Sequence, residues 1–137
     1  MKNRLLIVEN EKATAFALSE GLAEDGYSIM AVDSSEAALR YLKGRKCDLI
    51  ITDIRLPGMN GVELLKTIHS RRKIPSIVIT ASGSPQALSD ARKAGAVKCF
   101  SKPFKVDDVR KIVANALAAG SSSGGNGSGS GRSKAVR

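Results

Sequence analysis

Tryptophan is absent from the 137 residues, and Phe16, Tyr27, Tyr41, Phe100 and Phe104 are the only aromatic side chains. They form no stacking pattern, so a formal charge of +9 does not by itself indicate a specific nucleic-acid binder. Three of the positive charges, Arg132, Lys134 and Arg137, lie in an acid-free tail. The others are scattered over several stretches, as solvated helix faces would have them. Cysteine is almost missing too. Cys47 and Cys99 sit inside apolar segments without metal-ligand spacing, which argues against a disulfide framework and a zinc site and predicts buried free thiols in a reducing compartment. The single histidine, His69, has no ligand partner at suitable spacing and is expected at the surface. No apolar run approaches membrane-spanning length, and the start, MKNRLLIVEN, turns acidic too soon for a signal peptide. These absences lead to the expectation of a soluble cytoplasmic protein with one core.

What the chain does contain is a rhythm. Five short segments rich in Leu, Ile and Val recur: LLIVE from Leu5, YSIMAV from Tyr27, DLIITD from Asp48, PSIVIT from Pro75 and VKCFS from Val97. Stretches of helical length and period separate them, the clearest being the stripe Val106, Val109, Ile112, Val113, Ala116 and Leu117. Gly26, Gly44, Gly95 and Gly120 each follow such a stretch, where a helix end favours a left-handed residue, and Ser84-Pro85 reads as an N-cap and first helical position. The alternation predicts an α/β fold, a (βα)5 doubly wound five-stranded parallel sheet of flavodoxin-like order 2-1-3-4-5. The folded domain is expected over 1–119. From 120 to 137 the Ser/Gly-rich basic segment has no periodicity and predicts a flexible tail or linker.

In such a sheet the functional crevice lies beyond the carboxyl ends of the strands, where the winding reverses between strands 1 and 3. The stretch IITDIRLPG ends a strand built for burial on a lone acid, Asp53, and a buried carboxylate is costly unless compensated. Strand 1 ends in Glu9 and Asn10, strand 4 in Thr80, and strand 5 in Ser101 and Lys102 before Pro103. Acids, an amide, a hydroxyl and an ammonium therefore converge. Taken singly, Asp53 could be a helix N-cap, Lys102 a surface cation and Thr80 an ordinary strand former.

The set IVENE, ITDIRLPGMNG, VITASGS and SKPF, in this order over residues 3 to about 119, resembles the receiver domain of two-component response regulators. The resemblance implies a signalling switch rather than an enzyme. Asp53 would take a phosphoryl group from a partner histidine kinase or phosphotransfer protein. Glu9, Asn10, Asp53 and the backbone carbonyl of Arg55 would hold Mg2+, and Lys102 and Thr80 would contact the phosphoryl oxygens. It further implies a switch and readout face at Thr80, Ala81, Ser82 and Cys99 and a partner contact at Ala13, Thr14, Ala17, Pro103 and Phe104. A cis Lys102-Pro103 peptide, no direct nucleic-acid or membrane binding, and a monomer or phosphorylation-dependent dimer complete the picture. Arg55 and Ser82 would flank the phosphoryl group.

Two positions depart from the family pattern. Asn10 replaces the usual second acid of strand 1, and Cys99 stands where Tyr or Phe is common. Both leave open a phosphorylation-independent interaction module. A haloacid dehalogenase-like phosphatase would need a general acid two residues after Asp53, where Arg55 cannot shuttle a proton. A flavodoxin-like cofactor binder would need a glycine- and hydroxyl-rich loop after strand 1, and NEKATA has one Thr and no Gly.

Overall fold

The computed structural model describes residues 2–81 and 83–125, with the side chains of 120–125 left aside. Strands and helices alternate as β1 (Arg4–Val8), α1 (Lys12–Ala23), β2 (Ser28–Val32), α2 (Ser35–Leu42), β3 (Leu49–Asp53), α3 (Gly61–His69), β4 (Ser76–Thr80), α4 (Pro85–Lys93), β5 (Ala96–Ser101) and α5 (Val106–Gly125). The strands form one parallel sheet of order β2-β1-β3-β4-β5. This is the doubly wound α/β fold that the alternation predicts.

Successive residues of a strand point to opposite faces, and the core divides by that parity. Leu5, Ile7, Leu49, Ile51, Ile77 and Ile79 pack with Leu18 and Leu22 of α1 and Val109, Val113 and Leu117 of α5. Leu6, Val8 and Ile50 face α2 and α3 through Ala38, Leu42, Leu64 and Ile68, while Val78 meets Leu65 of α3 and Ala91 of α4. The central strands β3 and β4 are buried along their whole length, as their unbroken apolar runs demand. Phe100 packs on the α1/α5 layer, and Cys99 beside it on the α3/α4 layer. Cys47 is buried as expected, but Cys99 is only half-buried because β5 is an edge strand.

Local chemistry sets the helix ends. Ser84 Oγ accepts from Ala87 N–H at 3.1 Å ahead of Pro85. Asn60 and Glu63 form a reciprocal capping box on α3. Gly26, Gly44 and Gly95 hold positive φ, as does Gly58 in the Pro-Gly turn. Gly120 does not end α5, which continues to Gly125. A lone glycine costs a helix only about 1 kcal/mol, and nothing after it blocks the next hydrogen bonds as proline would. The rest of the expected tail, 126–137, lies outside the described residues.

His69 corrects the expectation of a surface histidine. It is half-buried, with Nδ1 2.7 Å from Ala94 O and Nε2 2.9 Å from Ile74 O. The ring ties the end of α3 to the starts of β4 and β5, long-range partners that no spacing rule could disclose. Gly61 is a second constraint. A Cβ there would lie 2.1 Å from the backbone oxygen of Asp53, and its N–H donates to Ile54 O at 2.8 Å. Only glycine lets the β3–α3 loop fold back against the end of β3. Gly61→Ala should therefore destabilise the protein by about 3 kcal/mol in urea unfolding, because backbone cannot yield as a side-chain tip can. Gly83→Ala, whose Cβ would meet nothing closer than 3.4 Å, should change stability by less than about 1 kcal/mol.

Candidate functional site

The two rows of side chains that face α1 and α5 run off the carboxyl end of the sheet as acids. Glu9 follows Leu5 and Ile7, and Asp53 follows Leu49 and Ile51 on the adjacent strand. Glu9 N–H extends the ladder by donating to Val32 O at 2.9 Å, which holds the residue in strand register one step beyond β1. On β5 the row of Phe100 continues to Lys102, whose N–H donates to Thr80 O at 2.9 Å. The peptide from Lys102 to Pro103 is cis. The three rows close on one another: Lys102 Nζ lies 2.8 Å from Asp53 Oδ2 and 3.0 Å from Glu9 Oε1.

Burial makes that contact consequential. Glu9 is 2% and Asp53 4% exposed, so neither charge is solvated by bulk water. Asp53 Oδ1 accepts the Arg55 N–H at 3.1 Å, and Glu9 Oε2 accepts the Glu11 N–H at 2.9 Å. Burial pushes the Glu9 carboxyl above its usual range, against the lowering effects of the Glu11 amide and Lys102. Burial would lower the Lys102 ammonium, but its hydrogen bonds and charge interactions with Asp53 and Glu9 raise it above its ordinary value. The cation is thus held protonated.

Glu11 was not legible as a site residue. Its carboxylate lies 3.2 Å from Lys102 Nζ, and its pKa is lowered first by the hydroxyl of Thr14, then by Lys102. It is solvent-exposed and belongs to the first turn before α1, so it offers neither a strand end nor a buried run to mark it. The IVENE string contains it, yet only the packing of α1 against α5 and the sheet brings it to Lys102, 91 positions away.

The other sequence candidates sort by position. An open crevice of about 730 Å³ is lined by Glu9, Asn10, Asp53, Arg55, Ala81 and Lys102 on one side and by Ala13, Thr14, Ala17, Pro103 and Phe104 on another. Asn10 is exposed at its rim. Thr80 is wholly buried at the end of β4. Cys99 faces α4 away from the crevice, and burial pushes its thiol up, which keeps it unreactive. Ser82 lies outside the described residues.

Among the described residues, no three carboxylate, imidazole or thiolate groups form a cluster that could by itself hold a metal ion. The oxygen groups lining the crevice include instead two buried carboxylates, Glu9 and Asp53, with the Asn10 amide at the rim. Glu9 Oε1 is buried and has no hydrogen-bond partner beyond its 3.0 Å contact with Lys102. An all-oxygen set with one under-satisfied anionic oxygen fits a hard divalent cation that retains waters.

A family model described as the response regulator receiver domain matches residues 5–114. The response regulator protein FleR of Pseudomonas aeruginosa is 36% identical over 115 residues, 83% of this chain but 24% of that protein. Sporulation initiation phosphotransferase F of Bacillus subtilis is 30% identical over 114 residues, covering 82% of this chain and 92% of its own length. The chain spans about a quarter of FleR, so much of that relative has no counterpart here. Among solved structures, a CheY-like receiver domain protein from Methanospirillum hungatei superposes with a TM-score of 0.85 at 25% identity, over 90% of this chain and 99% of that one. A two-component response regulator from Clostridium difficile gives a TM-score of 0.82 at 26% identity, over 85% and 97%. The match runs from the first core strand into α5 and takes in every side chain that meets Lys102, and the chain accordingly belongs to the response regulator receiver domains.

Proposed function

We propose that Asp53 is the phosphoacceptor of this receiver and that its loading drives a conformational signal to a partner or attached domain. The observation that carries the reading is the buried Asp53 carboxylate 2.8 Å from the Lys102 ammonium at the open end of a parallel sheet. A carboxylate attacking an anionic phosphoryl group needs charge neutralisation more than proton transfer. One Asp53 oxygen forms the new P–O bond as the P–N bond to a partner histidine breaks, and the electron pair stays with the imidazole nitrogen. The Arg55 N–H orients the carboxylate, and Lys102 follows the charge onto a phosphoryl oxygen.

Glu9, Asn10, Asp53 and the Arg55 carbonyl would hold Mg2+, which supplies further neutralisation of phosphoryl charge when bound. Thr80 would donate its hydroxyl to another phosphoryl oxygen and carry the change along β4 into Ala81, Ser82 and α4, with Cys99 on the same face. The crevice wall of Ala13, Thr14, Ala17, Pro103 and Phe104 is small and apolar, which suits the docking of a histidine kinase or histidine phosphotransfer protein. The relative named as a phosphotransferase, spanned over nearly its whole length, supports phosphoryl passage of this kind. The protein would act as a cytoplasmic switch rather than a turnover enzyme, because Arg55 stands where a phosphatase needs a general acid. Residues 1–119 would form the receiver and 120–137 a tail, with a monomer or phosphorylation-dependent dimer as the active species. No helix among the described residues is long and apolar enough to cross a membrane.

Asn10 favours a second reading, an interaction module indifferent to phosphate, because a neutral and exposed side chain replaces an acid at the metal position. One measurement separates the two. Incubation with acetyl phosphate and Mg2+ should add a single phosphoryl mass to the intact protein and none to Asp53→Ala, and EDTA should abolish the addition. An adduct that survives in Asp53→Ala places the acceptor elsewhere, and no adduct in the wild type favours the phosphate-independent module.

Asn10→Asp tests the metal assignment directly. A unit pair at about 4 Å is worth roughly 4 kcal/mol at an effective dielectric near 20, but desolvation and repulsion from Glu9 and Asp53 offset most of it. The expected net gain is about 1 to 2 kcal/mol, tenfold or somewhat more in Mg2+ affinity by calorimetry. The metal-free variant should be less stable than wild type in urea, and saturating Mg2+ should recover most of the loss. Equal affinities would remove Asn10 from the metal site.

A further inference from the structure

The helices run antiparallel to the strands they cover, so the ends of α2 and α3 lie at the edge of the sheet opposite the acidic crevice. There the last turns of the two helices and the loops after them bound an open groove of about 650 Å³. Half-buried Leu39 and the outer edges of the core residues Leu42 and Ile68 give it an aliphatic floor, and Lys43, Arg45, Arg71 and Arg72 contribute cations. No acid lines it.

Cations near helix C-termini often do no more than offset the dipole and cap the last carbonyls. Arg72 has that role: its guanidinium donates to Leu42 O at 3.1 Å and Arg45 O at 2.8 Å, which closes the base of the groove. Among the described residues, the other three make no such side-chain contact with a helix-end carbonyl. Among the described residues the ion pairs are those of Lys102 and Arg110, and none involves Lys43, Arg45 or Arg71. Arg45 Cζ lies over the Tyr41 ring, 4.7 Å from its centroid, which orders its guanidinium without neutralising it. The positive surface extends along the same edge into a neighbouring cleft with Lys2, Arg4 and Lys46, where Asp48 is the only acid.

We propose that this groove is a docking site for an acidic amphipathic helix of a protein partner, independent of the phosphoacceptor crevice. Three features favour that occupant. The groove is open along its length, so a small molecule would leave much of its surface in water, whereas ligand pockets enclose most of theirs. Aliphatic side chains between cations match a helix with leucine-like anchors at i, i+3, i+4 and i+7 and carboxylates beside them. A nucleic acid would use the cations but gain nothing from Leu39, Leu42 and Ile68, and it would find a single ring, Tyr41, already covered by Arg45. Rim charges of this kind steer encounter and orient the partner, while the apolar contact slows release. Occupancy here leaves the Asp53 edge accessible, so a partner can be held while phosphate arrives.

The test uses the full chain, isotope-labelled for NMR, and a fluorescein-labelled helical peptide of about 18 residues with leucine on one face and glutamate elsewhere. A scrambled peptide of the same composition and a duplex DNA of about 20 base pairs are the controls. The amphipathic peptide should bind with amide shifts confined to 39–45 and 67–72, at least about tenfold tighter than the scrambled one. The exposed pair Lys43→Glu with Arg71→Glu should weaken it about tenfold or more and leave phosphoryl uptake from acetyl phosphate unchanged. Equal binding of the scrambled peptide, DNA binding at the same amides as tight as the peptide, or shifts located elsewhere would each overturn the proposal. If the charge-reversed pair fails to fold, the shift map and the scrambled control on the wild type still decide it.

Discussion

A single ammonium, Lys102, faces the carboxylates of Asp53, Glu9 and Glu11 at 2.8, 3.0 and 3.2 Å. Two of the three acids are buried, so at close range one ammonium is shared by three carboxylates of which two are cut off from water. Replacing Lys102 with an apolar residue would leave two adjacent carboxylates out of water with only backbone N–H groups to stabilise them. The upward displacement of Glu9 comes first from its burial, and the nearby Asp53 charge adds to it. A site short of positive charge is suited to take up a cation and then a phosphoryl group, because each arrival alters a balance that the fold holds in tension.

The surrounding fold keeps those groups together despite their repulsion. Ile7, Ile51 and Ile79, wholly buried below the crevice, are clamped between α1 and α5, and they fix where the next residues of β1 and β3 must emerge. Gly61 presses the following loop onto the end of β3, which leaves the Asp53 backbone no room to retreat. His69 performs a related function at the other edge by joining α3 to the starts of β4 and β5. The end of β3 and the starts of β4 and β5 are thus held by contacts from α3 and the loop before it.

Charge is separated along the strand direction. Acids collect where the strands end, and unpaired cations collect where α2 and α3 end, so the molecule has two edges of opposite character. The formal +9 of the whole chain conceals this arrangement. It also explains why a basic composition need not imply nucleic-acid recognition: the cations gathered at this edge flank an aliphatic groove rather than a stacking surface.

By itself the sequence determined the (βα)5 order, the buried central strands, the capping of α4 by Ser84 and the convergence of Glu9, Asp53, Thr80 and Lys102 on one edge. These follow from period and from strand ends, which are local properties, and parallel pairing then brings equivalent ends to the same side. Tertiary structure alone decided the rest. Glu11 is an exposed residue whose meeting with Lys102, 91 positions away, depends on how α1 docks. His69 gains its partners only when β4 and β5 are in place, and the α2/α3 groove exists only where the ends of two helices distant in sequence come together. Gly120 read as a helix stop, whereas α5, anchored by Val109, Val113 and Leu117, propagates past it. Each of these depends on contacts between segments distant in the chain, and residue type and spacing record only what neighbouring positions impose on one another.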